Sequence, residues 1–471
     1  MAGPLWTSTN AAHATGGQTT AEWVAYGVSI DSRAVEKNDL FVVINGPNFD
    51  GHDFVSSAME AGAAAAIISR RPEGLPRTAP LLIVADTMDA LRALAVSART
   101  RTNARIIAVT GSVGKTGTKD LLHTALAKQG STSASVESFN NQWGVPLSLA
   151  RMPADGEFGI FEVGMNHAGE IAPLSRMIRP HVAVITTVEA AHIEFFDSIE
   201  AIADAKAEIF LGMEGGTAVL NRDNPLYERL AAAARASGID QILAFGEHEK
   251  ADARLVSYTG DSVGASVSAK ILGQSVDFRT GAPGKHLAMN SLAALAAIAA
   301  VGADVAAAAR SLQDIPPGAG RGQRHTIALA NGSLTLIDES YNANPASMKA
   351  AIETLGAAAP GPGGRHIAIL GDMRELGQRS GNFHRTVADQ LLANNIDLIF
   401  ACGPDMQAMV ERLPAGNFGG YTEDSSALAK QVVEIVRPGD VIVVKGSLAT
   451  GMKTVVEALL GLATTSTTAR K

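Results

Sequence analysis

The chain has 471 residues, which at about 100 to 200 residues per domain predicts two to four domains. A composition of 46% hydrophobic and 18% charged residues is typical of globular proteins and excludes the fibrous and disordered classes. The formal net charge of −8 disfavours binding to nucleic acid or to an anionic bilayer, because both are negatively charged. The single cysteine, Cys402, excludes an intrachain disulfide and a cysteine-based metal cluster, and it predicts a reducing compartment.

Two further features predict a cytoplasmic protein without membrane insertion. Residues 1–17 lack the basic and apolar segments of a secretory signal. The most apolar stretch, residues 292–303, is shorter than the roughly 20 residues of a membrane span, so we interpret it as a buried alanine-rich helix.

The first of three predicted domains covers residues 1–104. It alternates short aliphatic runs, such as residues 40–46 and 81–86, with alanine-rich helical stretches, such as residues 90–100. This alternation predicts a small α/β domain.

The second predicted domain covers residues 105–315 and opens with an apolar strand, a glycine-rich turn and a helix. Three further buried-type strands follow at residues 158–164, 182–188 and 216–221, with helices between them. Strands that alternate with helices in this way predict a mostly parallel sheet.

The third predicted domain covers residues 316–471 and begins in a segment rich in proline and glycine, residues 314–324. Its strands at residues 366–372, 397–403 and 440–447 are again separated by helices, which predicts a doubly wound, Rossmann-like domain. The fold class predicted for the whole chain is therefore α/β in three domains.

The strongest functional signal is the sequence GSVGKT at residues 111–116, which follows a strand and opens a helix. Glycines let successive N–H groups point at phosphate oxygens, and the helix N-terminus adds partial positive charge. In such a loop Lys115 reaches the β and γ phosphates and Thr116 offers its hydroxyl to Mg²⁺. The alternative is a glycine-rich turn with an exposed lysine, which the flanking strand and helix disfavour. The predicted phosphate-binding residues are Gly111, Ser112, Val113, Gly114, Lys115, Thr116 and Gly117.

Kinases, switches, motors and ligases all contain phosphate loops, so other residues must distinguish among these classes of protein. Glu162 ends a predicted parallel strand, at the sheet edge where the phosphate loop also lies, and is placed to bind Mg²⁺; the alternative is a solvated residue at a strand end. His192 follows the next strand. The sequence is equally compatible with a residue of the site and with a histidine whose hydrogen bonds are made within the protein. Lys206 lies near the apolar face of a predicted helix, where a lysine usually extends its ammonium to solvent.

Beyond these residues, the chain resembles the Mur ligases of peptidoglycan synthesis. The similarity extends over most of the chain, and the segments SYNANPASM and LGDMRELG are most similar to the family member that adds D-alanyl-D-alanine to a UDP-N-acetylmuramoyl-tripeptide. The segments that carry the resemblance are SIDSR (29–33), NFDGHDFVSSAMEAGA (48–63), VTGSVGKTGTK (109–119), SFNNQWGVPLSL (138–149), EVGMNHAGEI (162–171), AHIEFF, AKAEIF, VLNRDN, NSLAALAA, GRGQR, DESYNANPASM (338–348), LGDMRELG (370–377) and VVKGS.

The resemblance implies an N-terminal domain for the UDP-linked substrate, a central ATPase domain, and a C-terminal domain that binds the incoming dipeptide and completes the ATP site. It implies that the substrate carboxylate attacks the γ-phosphate of ATP to give an acyl phosphate, whose carbonyl carbon the incoming amine then attacks. Positioning and charge stabilisation dominate such phosphoryl transfer, in agreement with a site built from a lysine and metals. ATP, two Mg²⁺ ions and a monomeric enzyme are the resulting expectations.

Residue roles follow from the same resemblance. It implies catalytic roles for Lys115, Glu162, His192 and Lys206. It also implies that Lys206 is carbamylated, which turns the cation into an anion suited to binding a metal. The implied metal ligands are Thr116, Glu162, His192 and Lys206. The implied nucleotide contacts are Asn290 for adenine, Arg321 for phosphate, with a loop arginine as the alternative, and Asp338 for ribose. The implied substrate contacts are Ser32, Arg33, Asn140, Asn141, Asn344 and Asp372.

Three positions depart from the family pattern. Gly117 stands where a threonine is frequent, Thr187 where an asparagine is frequent, and Glu339 where an aspartate is frequent. The first removes one hydroxyl contact to phosphate, and the last keeps the charge and adds a methylene. These differences concern the detailed geometry and leave the reaction class unchanged.

Three alternatives remain open from the sequence. One is a ligase that adds the third amino acid to the same precursor, and such a ligase would lack SYNANP. Another is a phosphate-loop switch or regulatory ATPase, which would leave the SIDSR domain without a purpose. A third is a catalytically silent scaffold, which the presence of Lys115, Thr116, Glu162, His192 and Lys206 disfavours.

Overall fold

The computed structural model describes residues 3–46, 48–136, 138–261 and 263–468. Its sheets are mixed α/β layers with mostly parallel strands, which confirms the predicted fold class. In that described part of the chain, no helix combines the length and the apolar character that crossing a membrane requires.

The N-terminal part forms a five-stranded sheet in the order β2-β7-β6-β5-β4, parallel except for the β2–β7 pair, and a short antiparallel ribbon of β1 and β3. Helix α3 packs its leucines and alanines against this sheet, and Asp86 caps its first turn by accepting from the Asp89 amide. The elements are β1 (Trp6–Thr7), α1 (Ser8–Thr15), β2 (Gln18–Thr19), β3 (Val24–Ala25), β4 (Gly27–Ser29), β5 (Asp39–Val42), α2 (Val55–Glu60), β6 (Ala65–Ile68), β7 (Leu81–Ile83) and α3 (Thr87–Thr100).

The central part forms a nine-stranded sheet in the order β16-β15-β14-β13-β12-β11-β8-β10-β9. The strands from β9 to β14 are parallel, and their apolar runs are buried between helices on both faces. The elements are β8 (Arg105–Thr110), α4 (Lys115–Ala127), β9 (Thr132–Ala134), α5 (Gly144–Ala150), β10 (Phe158–Glu162), α6 (Ile171–Ile178), β11 (Val182–Ile185), α7 (Ile199–Ala207), β12 (Thr217–Asn221), α8 (Tyr227–Ala236), β13 (Gln241–Gly246), β14 (Ala253–Gly260), β15 (Ala265–Ile271), β16 (Gln274–Thr280), α9 (Lys285–Ala300) and α10 (Val305–Ser311).

The antiparallel end of this sheet, β14 to β16, was not among the strands expected from the sequence. The alternation of buried and exposed residues in β15 is the usual sign of a strand with one covered face, but its residues are small and polar, so the apolar signal is weak.

The C-terminal part forms a six-stranded sheet in the order β17-β18-β22-β19-β20-β21, parallel except for the β17–β18 pair. The central strand β22 was expected from its uninterrupted apolar run, and all of its residues are buried. The elements are β17 (Gln323–Leu329), β18 (Gly332–Glu339), α11 (Pro345–Gly356), β19 (His366–Gly371), α12 (Ser380–Ala393), β20 (Leu398–Cys402), α13 (Gln407–Val410), β21 (Phe418–Thr422), α14 (Ser425–Ile435), β22 (Val441–Lys445) and α15 (Lys453–Thr468).

Candidate active site

A cavity of about 560 Å³ lies between the central and C-terminal parts. The carboxyl ends of β8, β10 and β11, which are neighbours in the central sheet, point toward it, as expected for an open parallel sheet. The residues that line it are Ser112, Val113, Gly114, Lys115, Thr116, Gly117, Ser138, Asn140, Glu162, Gly164, Met165, Asn166, His192, His286, Leu287, Asn290, Gly320, Arg321, Glu339, Tyr341, Asn342, Asn344, Ala346, Ser347, Ala350 and Lys445.

The phosphate loop joins β8 to α4, and two of its glycines are sterically required. A Cβ on Gly111 would lie 1.9 Å from the Thr186 hydroxyl oxygen, and one on Gly114 would lie 2.6 Å from Oδ1 of Asn290. Both glycines have positive φ, 150° and 84°, which residues with a side chain rarely adopt. The loop backbone can therefore approach a ligand closely at the N-terminus of α4.

Lys115 is the first residue of α4, and its ammonium donates to the carbonyl of Gly111 at 2.8 Å. Burial lowers its pKa, and the nearby Glu162 carboxylate opposes that shift. The Lys115 side chain is thus folded back over its own loop.

Glu162 ends β10 and is 1% exposed. Its Oε1 accepts from the Asn140 side-chain amide at 2.7 Å, whereas its Oε2 is buried and has no hydrogen-bond partner among the described residues. A buried carboxylate oxygen without a partner is energetically unfavourable, and a hard cation is a suitable partner for it. The donor set around Glu162 therefore fits Mg²⁺.

His192 follows β11 and has a left-handed backbone, with φ of 59°. Its imidazole lines the cavity, and Nδ1 contacts Oε2 of Glu375 from the C-terminal part. This contact was not expected from the sequence.

Lys206 lies near the C-terminal end of α7 and is 2% exposed. Its burial and the charge of Lys115 lower its pKa well below the usual value for lysine. The side chain is thus inside the protein, and the interpretation of an ammonium that extends to solvent does not describe it. Lys206 is absent from the cavity wall formed by the described residues.

Of the three nucleotide contacts implied by the resemblance, two line the cavity and one, Asp338, does not. Asn290 on α9 lines the cavity with its amide against Gly114. Arg321 also lines it, donates to the Ser138 hydroxyl at 3.0 Å and stacks 4.0 Å from the ring centroid of Tyr341. Asp338 is 7% exposed and accepts from the amide and hydroxyl of Ser340 at 3.0 and 2.6 Å, so its carboxylate stabilises the turn after β18.

A second cavity of about 680 Å³ adjoins the first, and Asn140, Gly164, Met165 and Asn166 line both. Asn141 lines only the second cavity, where its Oδ1 also accepts from the amides of Trp143 and Gly144 at the start of α5. The two cavities thus form one cleft around Asn140.

Of the four remaining substrate candidates, Asn344 lines this cleft and the other three do not. Ser32 and Arg33 lie in the N-terminal part, where the exposed Arg33 side chain pairs with Asp31 at 2.7 Å. Asn344 lines the first cavity and caps α11. Asp372 is fully buried and accepts from the Met406 amide at 3.0 Å, so in this conformation it supports a loop.

The cavity wall also contains residues to which the sequence gave no role. Lys445, which is 2% exposed, donates to the Asn342 carbonyl at 2.9 Å and lies 3.3 Å from Oε2 of Glu339. His286, at the start of α9, lines the same cavity. Lys445 and Glu339 lie in the segments VVKGS and DESYNANPASM, so the only available signal was the presence of ionisable residues in those segments.

Comparisons with known proteins agree with this geometry. Three family models match successive parts of the chain: "Mur ligase family, catalytic domain" at residues 24–99, "Mur ligase middle domain" at residues 109–298, and "Mur ligase, glutamate ligase domain" at residues 320–448. Two relatives named UDP-N-acetylmuramoyl-tripeptide–D-alanyl-D-alanine ligase are similar over nearly their full length. The protein from Escherichia coli is 35% identical over 92% of this chain and 93% of its own, and the protein from Rickettsia prowazekii is 32% identical over 94% and 97%.

Solved structures show the same relationship. MurF from Acinetobacter baumannii superposes with a TM-score of 0.85 at 28% identity, covering 98% of this chain and 99% of its own. MurF from Thermotoga maritima, solved in complex with ADP, superposes with a TM-score of 0.77 at 26% identity, covering 94% and 98%. The chain therefore belongs to the Mur ligase family, whose members are ATP-dependent ligases that form amide bonds.

Proposed function

We propose that this chain joins D-alanyl-D-alanine to UDP-N-acetylmuramoyl-tripeptide, with conversion of ATP to ADP and phosphate. The observation that carries the proposal is that one cavity is lined by both the phosphate loop and the residues of the SYNANPASM segment. A nucleotide held by Lys115 and a dipeptide held near Asn344 would share that cavity. The names of the relatives, which match nearly the full chain, support this choice of substrates.

In the first step, an oxygen of the tripeptide carboxylate attacks the γ-phosphorus, and the bond to the β–γ bridging oxygen breaks as ADP leaves. The chain contributes position and charge to this step. Amides of the phosphate loop would hold the phosphate oxygens, and Lys115 would exchange its contact with the Gly111 carbonyl for the β and γ phosphates. Arg321 would approach from the opposite wall.

Thr116, Glu162, His192 and a carbamylated Lys206 would hold two Mg²⁺ ions. Bound metal would supply positive charge that stabilises the charge developing on the phosphoryl group. Glu162 supports this proposal, because its buried Oε2 has no hydrogen-bond partner among the described residues.

Carbamylation of Lys206 requires an uncharged amine, because only the free amine attacks CO₂. Burial and the Lys115 charge both favour the uncharged amine, since they lower the pKa of Lys206. The reaction forms a nitrogen–carbon bond, releases one proton, and leaves a carbamate anion. That anion would also compensate the nearby charge of Lys115.

In the second step, the dipeptide amine attacks the carbonyl carbon of the acyl phosphate and an amide bond forms. Phosphate leaves with the electron pair of the broken carbon–oxygen bond and takes up the proton that the amine nitrogen loses. Asn344 and Arg321, on the C-terminal wall, would orient the dipeptide and the leaving phosphate. Asn290 would contact adenine and Asp338 ribose.

For the UDP-linked substrate, Ser32 and Arg33 would bind the nucleotide end and Asn140 and Asn141 the peptide end. The second cavity, which adjoins the phosphate site at Asn140, has room for the peptide. Asp372 would act from the C-terminal part once the cleft closes. We propose that the enzyme works as a monomer in the cytoplasm, where ATP is available.

The test is product formation by the purified full-length chain with ATP, Mg²⁺, D-alanyl-D-alanine and the tripeptide precursor carrying either diaminopimelate or lysine. Phosphate release that needs both substrates, with a product heavier by the dipeptide less one water, would support the proposal. Lys115→Met should abolish it, and the exposed Lys430→Met should not. Phosphate release that neither substrate affects, without a new product, would favour a regulatory ATPase. Ligation of a single amino acid to a dipeptide precursor would favour the neighbouring ligase.

A further inference from the structure

The central and C-terminal parts meet at a small contact between two loops. One loop runs from His192 to Asp197 after β11, and the other runs from Glu375 to Arg379 after β19. The amide of Glu194 donates to the carbonyl of Glu375 at 3.1 Å, and the Arg379 guanidinium reaches the carbonyl of Asp197 at 3.4 Å. These bonds join the two loops in this conformation.

The side chains at this contact also form a specific pair. Oε2 of Glu375 contacts Nδ1 of His192, so a carboxylate of the C-terminal part faces the imidazole of the central part. The two residues have left-handed backbones, with φ of 59° for His192 and 63° for Glu375. Such conformations are unfavourable for residues with a side chain, and they persist where the surroundings require them.

The pair leaves one ring nitrogen of His192 for the cavity. A carboxylate on Nδ1 favours the tautomer with the proton on Nδ1, so Nε2 keeps its lone pair. His192 lines the same cavity as Glu162, whose Oε2 has no partner among the described residues. Histidines that bind metals usually donate their second N–H to a carboxylate or carbonyl, which orients the ring.

We propose that Glu375 is a positioning residue that orients His192 for its metal, so that docking of the C-terminal part prepares the metal site of the central part. This inference rests on the proposed role of His192 in the ligase. It goes beyond that role because it makes metal affinity depend on a residue of another sheet. A merely structural ion pair would affect stability and leave the tautomer and the metal affinity unchanged.

The test uses the full-length protein with ADP and follows Mn²⁺ binding by the electron paramagnetic resonance signal of the free ion. We expect Glu375→Ala to weaken Mn²⁺ binding about 10- to 100-fold, as for loss of other carboxylates that support metal-bound histidines. Arg379→Ala, which removes only a backbone contact of the same interface, should change it less than about twofold. In the Glu375→Ala protein, ¹⁵N spectra of the histidines should show His192 moving toward the tautomer protonated on Nε2.

A double-mutant cycle completes the test. If Glu375 acts through His192, the His192→Ala, Glu375→Ala protein should bind Mn²⁺ no more weakly than His192→Ala alone. Wild-type affinity in Glu375→Ala, or equal additional losses in both backgrounds, would overturn the proposal. If Glu375→Ala does not fold, Glu375→Met, which has a similar length and no oxygen acceptor, decides by the same readouts. Ligation of D-alanyl-D-alanine by the wild type is assayed separately, so failure of the proposed function and failure of this inference are distinguished.

Discussion

Lys206 is buried, and the partly buried Lys115 lies near enough for its charge to lower the pKa of Lys206. Two ammonium groups in one low-dielectric region repel each other and lose hydration, so the uncharged form of Lys206 is favoured. Conversion of Lys206 to a carbamate would replace that repulsion with an attraction. The chemistry proposed for Lys206 thus follows from its burial and its neighbour.

The first prediction concerns Lys206. We expect protein equilibrated with ¹³C-bicarbonate to show a carbamate carbon signal, and Lys206→Met to lack that signal. Because methionine has a similar length and no amine, the variant should fold and lose at least about 100-fold in kcat/KM. Lys128→Met, at an exposed lysine beyond the end of α4, is the control and should keep both signal and activity. A carbamate signal that survives in Lys206→Met would contradict the assignment.

The second prediction concerns Cys402, which is buried on β20. Burial, and secondarily the charge of Asp372, raise its pKa to about 11. The thiolate is the reactive form, and at pH 8 only about one thiol in a thousand would be ionised. We expect the folded protein to react with iodoacetamide far more slowly than urea-unfolded protein, as followed by mass spectrometry. Equal rates in the two states would show that the thiol is accessible.

Site residues were predictable where the chemistry follows directly from local sequence. The phosphate loop could be located because a strand, two glycines, a lysine and a helix are adjacent in the chain, and the structure places Lys115 at the cavity wall. The contact between His192 and Glu375 could not be predicted, because it joins residues far apart in sequence and depends on how two sheets dock. The burial of Lys206 was equally invisible, since helical spacing alone is compatible with both interpretations.

At the scale of the elements, α11 connects the third sheet to the cavity. Asn344 accepts from the Ser347 amide at 2.9 Å, and the Ser347 hydroxyl accepts from the Asn344 amide at 3.0 Å, which is a capping box. Pro345 follows at the first helical position, where the missing N–H has no effect on the helix. One residue therefore both begins the helix and lines the proposed dipeptide site.

The third prediction separates these two roles of Asn344. Asn344→Ala should destabilise the start of α11 by about 1 kcal/mol, because the Ser347 amide loses its acceptor. Asn344→Asp keeps a capping oxygen, so it should preserve the helix and change only the KM for D-alanyl-D-alanine. Hydrogen exchange of residues 345–356 measures the first effect and steady-state kinetics the second. Unchanged exchange in Asn344→Ala would show that the cap does not stabilise the helix.

Parallel strands were easier to predict than antiparallel ones in this chain. Strands such as β11 and β22 are buried on both faces, so they appear as uninterrupted apolar runs. Strands β15 and β16 have one exposed face and contain serine, lysine and aspartate, so composition alone does not identify them. β15 pairs with β14 and β16 pairs with β15, through contacts that only the folded sheet provides.

At the scale of the whole molecule, the cavity is lined by residues from both the central and the C-terminal parts. Lys115 comes from the loop after β8, and Arg321 comes from the segment before β17. The described contacts that join the two walls include polar ones, such as the bond from Arg321 to Ser138 and the pair of His192 with Glu375, and buried apolar side chains of both parts also belong to one cluster. The polar contacts contribute modestly when exposed to water, and interfaces between domains of one chain commonly permit relative motion.

The fourth prediction follows from that division. A nucleotide that contacts Lys115 and Arg321 together would bind the closed arrangement better than the open one, and would shift the population toward it. We therefore expect small-angle scattering to show a smaller radius of gyration when a non-hydrolysable ATP analogue and the tripeptide precursor are added. Arg321→Ala should reduce the change, because the analogue then has no cation on the C-terminal wall. An identical radius of gyration with and without ligands, at concentrations where calorimetry shows binding, would contradict closure. The active arrangement would then be the one that the protein already adopts without ligands.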